Sequence, residues 1–205
     1  MSRSERRELI LAAAARTFAT HGYADAGLDE IAASAGITKA VIYDHFGSKE
    51  ELHRTLLELR LGDLLGVIAE AISRATTPEA RTRAGIEALL EFMERDRFAW
   101  RALFRNPGGG AAIGDFHNDL QRRVTEIVVG WITAELPSGE PADARLMAEV
   151  LAELFKGSLS GVANWWYEHP EVPRQALVDI TMSFAWNGLA NTGVEDWPTH
   201  SSAGD

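Results

Sequence analysis

The 205-residue chain contains no cysteine. It therefore has no disulfide framework and no thiolate site for zinc or an iron–sulfur cluster, which excludes a stapled secreted scaffold and permits a reducing cytoplasm. Also missing is any apolar run near the roughly 20 residues that span a bilayer. The first ten residues carry Arg3, Glu5, Arg6, Arg7 and Glu8 and show neither an apolar signal region nor a cleavage site. The expectation is a soluble, untargeted, cytoplasmic protein with no membrane partner. Basic charge is scarce too: 20 Lys and Arg stand against 30 Asp and Glu, a net charge of −10, which argues against a blanket coat for nucleic acid. The deficit is uneven. Residues 1–55 hold 7 basic and 8 acidic groups, whereas residues 56–205 hold 13 and 22, so the excess acid lies in the last three quarters.

Alternating runs of β-branched residues are absent, and apolar residues recur at three and four positions throughout. The chain is expected to be all-α, with about nine helices. Gly22, Gly36 and Gly47 each follow a helical stretch, where the left-handed position after a helix favours glycine. Three short helices therefore fit before residue 48. Ile10, Ala13, Ala14 and Phe18 stripe the first, Leu28, Ile31, Ala32 and Ala35 the second, and Val41, Ile42 and Phe46 the third. Ser48-Lys49-Glu50-Glu51 has the pattern of a capping box and opens a fourth helix to about Arg74. Thr77-Pro78-Glu79 starts a fifth to about Arg95, with Thr77 as N-cap and Pro78 at N1. A short helix within 97–105 is broken by Asn106-Pro107-Gly108-Gly109-Gly110. Further helices are expected from about Ile113 to Glu135, from Pro141 to Glu168, and from the Pro173 turn to about Asn187, with Gly188 as the last cap. The organisation read from this pattern is a head at 1–47, a helical body at 48–191 and a frayed, flexible tail at 192–205.

The second and third helices meet at Ala35-Gly36-Ile37 with almost no room for a loop, the geometry of a helix-turn-helix. Ala32 is small where the two helices cross, and Ile31, Ile37 and Ile42 fill the space between them. Around this core the residues follow a specific pattern. Phe18 precedes Gly22-Tyr23. Then come Ile31-Ala32, Ala35-Gly36-Ile37-Thr38, and Tyr43, His45-Phe46, Ser48-Lys49-Glu50 and Leu52. This stretch, about residues 6–53, resembles the tetracycline-repressor (TetR) family of bacterial regulators. The rest of the chain resembles it only in helical layout. The resemblance implies a homodimer whose heads read a palindromic double-stranded DNA operator and whose body binds a small-molecule effector that changes the spacing of the heads.

The residues suit that role. Thr38 is placed to cap the third helix, with its hydroxyl and amide at the positive helix end where a phosphate binds. Lys39 and Ala40 fall on the outward first turn, Lys39 for guanine acceptors and Ala40 for a thymine methyl. Tyr43, His45 and Lys49 match family positions that clamp phosphates; the competing readings are a partly buried Tyr43 and a solvated Lys49. Two positions depart from the family. Gly27 stands where members carry Thr or Ser to cap the second helix and touch phosphate, so that contact comes from an amide or is lost. Asp44 is either an acceptor for a cytosine amino group or a solvent-facing or paired acid. Arg3, Arg6 and Arg7 form a basic arm for the backbone or minor groove, or a solvated helix end.

In the body, Trp100, Phe104, Phe116, His117 and Trp131 lie in or near the helices that wall the ligand cavity in the resembled family, and Trp165 and Phe184 are placed to close it. Each aromatic taken singly also fits ordinary core packing. His117, Asn118 and Asn164 are the polar candidates in what is expected to be a mostly apolar cavity. Gly157-Ser158-Leu159-Ser160-Gly161 puts two glycines on one helix face beside Leu154 and Val162. Because glycine costs about 1 kcal/mol against alanine in a helix, a close helix approach is expected there. The partner is either within one subunit or the same helix of a second copy, in which case Leu154, Gly157, Ser158, Gly161, Val162 and Ile180 face a four-helix dimer bundle.

Enzymatic patterns are poor. Glu50-Glu51-Leu52-His53 is a single Glu-x-x-His where a bundle metal site needs more, and Gly157–Gly161 has Leu159 where a nucleophile elbow needs serine. No catalytic residue, metal or cofactor is expected. The sequence thus reads as an effector-released transcriptional repressor. The alternative is a helical ligand-binding or partner-binding dimer whose head no longer reads DNA.

Overall fold

The computed structural model describes residues 2–105, 111–135 and 141–190. Among them the chain is all-helical, with nine α-helices and one π-helical turn. Helix α1 (Arg3–Asp25) starts in a complete capping box. Ser2 Oγ accepts from the Glu5 amide at 3.1 Å, and the Glu5 carboxylate accepts from the Ser2 amide at 2.6 Å. Gly22 (φ 76°, ψ 175°) then breaks the helical geometry and kinks the helix. Helix α2 (Leu28–Ala35) ends in a Schellman turn in which the Ile37 N–H donates to Ala32 at 3.0 Å and the Gly36 N–H to Ala33 at 3.2 Å. Helix α3 (Lys39–Phe46) closes on Gly47, whose N–H donates to the Tyr43 carbonyl at 2.8 Å. Among the described residues the positive-φ positions are Gly22, Gly36 and Gly47, the three glycines expected to end helices.

Helix α4 (Lys49–Ser73) begins with half of the expected capping box. Ser48 Oγ accepts from the Glu51 amide at 3.0 Å, but the Ser48 N–H is turned to Phe46 and the Glu51 carboxylate holds Arg54 instead, at 2.7 and 3.2 Å. Helix α5 (Pro78–Arg95) starts as expected, with Thr77 Oγ1 accepting from Ala80 at 3.2 Å. Asp96 caps α6 (Arg97–Trp100), which runs directly into the π-helical turn Arg101–Arg105. Helices α7 (Ala111–Glu135), α8 (Pro141–Glu168) and α9 (Arg174–Ala190) complete the order. Gly188 lies inside α9, so it is not the cap expected there, and α7 opens two residues before Ile113. The expected break at 106–110, the turn at 136–140 and the tail at 192–205 lie outside the described residues.

Two compact units divide the chain, residues 1–67 with 92–119 and residues 68–91 with 120–205. In the first, Ile10, Ala14 and Phe18 of α1 join Ile31 and Ala32 of α2, Ile42 and Phe46 of α3, and Leu52 and Leu56 of α4 in one core. Helices α2 and α3 have eight residues each, too few to stand alone in water, so this burial is what holds them. Each fully buried Ile or Phe contributes about 1.5–3 kcal/mol. In the second unit Val129 of α7 packs on Ala148 and Ala152 of α8, and α8 packs against α9. The Trp166 indole N–H donates to the Val172 carbonyl at 2.8 Å and secures the α8–α9 connection. Among the described residues no helix is long and apolar enough to cross a membrane.

Candidate nucleic-acid interface

Helix α3 has two chemically distinct sides. Ile42 and Phe46 point into the core, which turns Thr38, Lys39, Ala40, Tyr43 and Asp44 outward, all exposed, with His45 half-buried at the edge. Thr38 occupies the N-cap position in extended conformation, but its side chain makes no capping bond. The expected hydroxyl cap is thus not formed, and the first amides of α3 keep the unpaired donors of a helix start, a favourable place for an anion. Gly27 is the N-cap of α2, extended at φ −91°, ψ 137°, exposed, with nothing among the described residues within 4 Å of the place a Cβ would take.

The cations of this surface are held by named partners. Lys39 Nζ lies 3.0 Å from Asp29 Oδ2, and that bond raises the lysine pKa. Lys49 Nζ donates to the Ala24 carbonyl at 3.1 Å and sits 4.6 Å over the Tyr23 ring, where partial desolvation lowers its pKa. Arg7 lays its guanidinium 4.4 Å over Phe46 and donates to the His45 carbonyl at 3.4 Å, a cation at the negative end of α3. Desolvation, followed by Arg3, Arg6 and Arg7, lowers the His45 pKa. These arginines therefore belong to the first turns of α1 beside His45 and do not form a separate arm.

Beneath Lys49 lies a group that sequence reasoning did not single out as structural. His53 is 2 % exposed, its ring edge-on to Phe18 at 4.9 Å and tilted on Tyr23 at 4.6 Å, and its Nδ1 has no hydrogen-bond partner among the described residues. Burial, then the Lys49 charge, pushes its pKa down to about 4. A neutral imidazole thus backs the aromatic ring that carries Lys49. Residue type and spacing carry no signal for it, because both rings it meets come from α1.

The residues expected to line an effector cavity fall in both units. In the first, Trp100 is fully buried and packs against Phe104 with the rings tilted by 31° and centroids 4.3 Å apart. Phe116 and His117 are half-buried on α7, and desolvation lowers the His117 pKa. Asn118 is exposed, and in the second unit Asn164 is half-buried. Trp131 is exposed there, and Trp165 stacks on His169 at 4.2 Å. Phe184 is 71 % exposed on α9, one turn from Ile180 at 67 %, and the two border an open groove with Asp179, Ser183 and Asn187.

On α8, Leu154, Ser158, Gly161 and Trp165 share one face at helical spacing, with Leu154 65 % exposed and Val162 half-buried beside them. Gly157 and Gly161 are exposed, and nothing among the described residues comes within 4 Å of a Cβ built on either. The close approach that glycine permits is therefore not made by the described part of this chain.

Residues 10–56 match the family model of bacterial regulatory proteins, tetR family. Over 197 residues the chain is 32% identical to the HTH-type transcriptional activator FasR of Mycolicibacterium smegmatis, covering 93% of this chain and 86% of the relative. A TetR-like transcriptional regulator from Rhodococcus sp. RHA1 superposes with a TM-score of 0.73 at 26% identity, covering 93% of this chain and 99% of that one. The regulator FadR from Bacillus subtilis, solved in complex with stearoyl-CoA, shares the fold with a TM-score of 0.75 at 18% identity, over 88% of this chain and 98% of that one.

Proposed function

The chain belongs to the tetR family of bacterial regulatory proteins, DNA-binding transcriptional regulators and not enzymes, and from that premise we propose that it is a cytoplasmic homodimer whose two α3 helices read a palindromic operator and repress transcription until a small apolar or amphipathic effector releases it. The observation that carries this reading is the outward side of α3, where Thr38, Lys39, Ala40, Tyr43 and Asp44 stand exposed over a closed core. Thr38 and the α3 amides take a phosphate, Lys39 and Ala40 meet base edges, and Tyr43, His45 and Lys49 position the head on the backbone. At Gly27 the phosphate contact comes from the backbone amide.

Lys39 and Lys49 are already paired in the free head, so DNA exchanges Asp29 and the Ala24 carbonyl for base and phosphate. Within the first unit the effector is held at Trp100, Phe104, Phe116 and His117. Support for an apolar ligand comes from those rings and from the shared fold with a protein solved with stearoyl-CoA. The exposed side of α8 and α9, with Leu154, Gly157, Ser158, Gly161, Val162 and Ile180, supports pairing with a second copy, and the exposure of Phe184 beside Ile180 moves that ring to the same surface. Release follows from population shift, in which the effector binds the non-operator spacing of the heads more tightly than the operator spacing.

The test is a genome-wide selection for bound DNA followed by anisotropy on the selected site. Palindrome-dependent binding that weakens steeply with salt is expected, and Tyr43→Ala with Lys49→Ala should lower affinity at least about tenfold, with the salt slope reduced by about one for the lost lysine. Failure to select any specific site favours a helical dimer whose head no longer reads DNA. A second reading, activation, is favoured by the 32%-identical relative FasR, a transcriptional activator. Deleting the gene separates the two: transcription from the selected promoter rises for a repressor and falls for an activator.

A further inference from the structure

Helix α1 is interrupted at Gly22, and the carbonyls of the turn before such a break lose their regular amide partners and carry the negative end of the helix dipole. Arg101, distant in sequence by 82 positions, donates from Nη2 to one of them, the Ala19 carbonyl, at 3.0 Å. Immediately beyond the kink stand Tyr23 and Ala24, the ring and the carbonyl that hold Lys49. At its other end Arg101 opens the π-helical turn Arg101–Arg105, a rare geometry whose hydrogen bonds span one residue more than those of an α-helix. Trp100 just before the turn and Phe104 within it pack against each other, rings tilted by 31° with centroids 4.3 Å apart, so a change in either ring's packing acts on these five residues. Rewinding the turn to α geometry shifts the phase of its residues by about 100° and moves the guanidinium off Ala19.

We propose that Arg101 is a positioning residue for DNA binding, tying the π turn to the Gly22 kink and through it fixing the Tyr23 and Ala24 groups that present Lys49. The inference deepens the reading above, since Phe104 is among the expected effector contacts, and it assigns the link from that ring to the phosphate clamp. The link runs through a side chain outside the helix-turn-helix.

The test uses the full-length protein with Arg101→Met, which keeps the apolar stem and removes the donors, and Arg101→Lys, which keeps one. Without DNA or ligand, Arg101→Met should raise deuterium uptake at the amides of residues 20–25 and leave α8 and α9 unchanged. On the selected operator it should lower affinity about tenfold and remove about one unit of salt slope, as loss of a lysine–phosphate contact does. Arg101→Lys should recover part of both. The readout that general loosening would not give is a double-mutant cycle. If Arg101 acts through Lys49, adding Lys49→Ala to Arg101→Met has little further effect. Full additivity of the two substitutions, or unchanged uptake at residues 20–25, overturns the proposal. Should the wild-type protein select no operator, the functional reading fails and uptake alone decides the link: a rise confined to residues 20–25 supports it and no rise refutes it. If Arg101→Met is unfolded, Arg101→Gln is read in the same assays against the same criteria.

Discussion

Helix pairs α2–α3 and α8–α9 dispose of their apolar side chains in opposite ways. In the first, Ile31, Ile42 and Phe46 are all turned into a core completed within the chain, and the outward side is polar. In the second, Leu154 stands exposed on α8, whose Gly157 and Gly161 no described residue approaches, and Ile180 and Phe184 stand exposed on α9. A closed core with a polar outer side suits a hydrated polyanion, met through a few placed donors. An open apolar side is costly to leave in water and suits a second protein surface. The charge division follows the same line: the head is near neutral in sequence, and the excess acid lies beyond it. On the function proposed above, specific DNA binding by so weakly charged a head would depend on two heads acting together.

The strongest test of the contrast is therefore to place charge on the α8–α9 side alone. Ile180→Asp with Phe184→Asp should yield a folded monomer by sedimentation and weaken operator binding by about 10²–10⁴, the avidity lost when two sites are unlinked. A variant that stays dimeric would remove the assignment of this surface. Next in size is the opposite manipulation, a cavity under α3. Ile42→Ala removes side-chain bulk from a fully buried site and should destabilise the head by about 2–5 kcal/mol in urea unfolding, while its neighbour Tyr43→Ala, facing outward, should change stability little and affinity for DNA substantially. Equal effects of the two on stability would mean that α3 does not have the two sides described.

How much of this the sequence displayed depends on how local the cause is. Gly22, Gly36 and Gly47 were legible because a left-handed backbone position selects glycine almost alone, and the stripes of α1 to α3 were legible because burial repeats with the helical period. Ser2 and Glu5 carry the Ser-x-x-Glu signature of the box they form, so that start is readable from residue type and spacing. The half-box at Ser48 shows the limit of such signatures: Arg54 competes for Glu51, and the Ser48 N–H turns to Phe46. Gly188 illustrates the same limit, since a helix continues through glycine when nothing stops it. The π turn at Arg101, the stowing of Lys49 over Tyr23 and the burial of His53 were not legible. Each depends on which side chains arrive from elsewhere in the fold, and residue type and spacing alone do not carry that.

His53 sharpens the comparison from inside the head. Its pKa in the folded protein, about 4, lies below the ordinary histidine value of 6.5, so the unfolded chain binds more protons between those limits. The stability contributed by keeping it neutral is complete above pH 6.5 and is lost as pH falls toward 4, by about 3 kcal/mol at most. His53→Leu should remove that part of the slope. The measurement is the difference in urea midpoint between wild type and variant from pH 7.5 to 4.5, which cancels the carboxylates common to both. A difference constant with pH would show that His53 charges without penalty and is not enclosed as described.

The smallest expected effect tests whether the outward side of the head is merely polar or is shaped for phosphate. Gly27 already has the extended conformation of an N-cap and has open space where a Cβ would stand, so a serine fits without strain. Gly27→Ser supplies a hydroxyl to the α2 amides, worth only a few tenths of a kcal/mol over glycine in stability. On DNA the same hydroxyl adds a side-chain phosphate contact to the amide contact proposed at this position, and operator affinity should rise several-fold, by about 1 kcal/mol for one added hydrogen bond. Because serine adds no charge, the salt slope should not move, in contrast to Lys49→Ala. A gain in melting temperature without any gain in affinity would place Gly27 away from the backbone and shift the docked edge of the head toward α1 and His45.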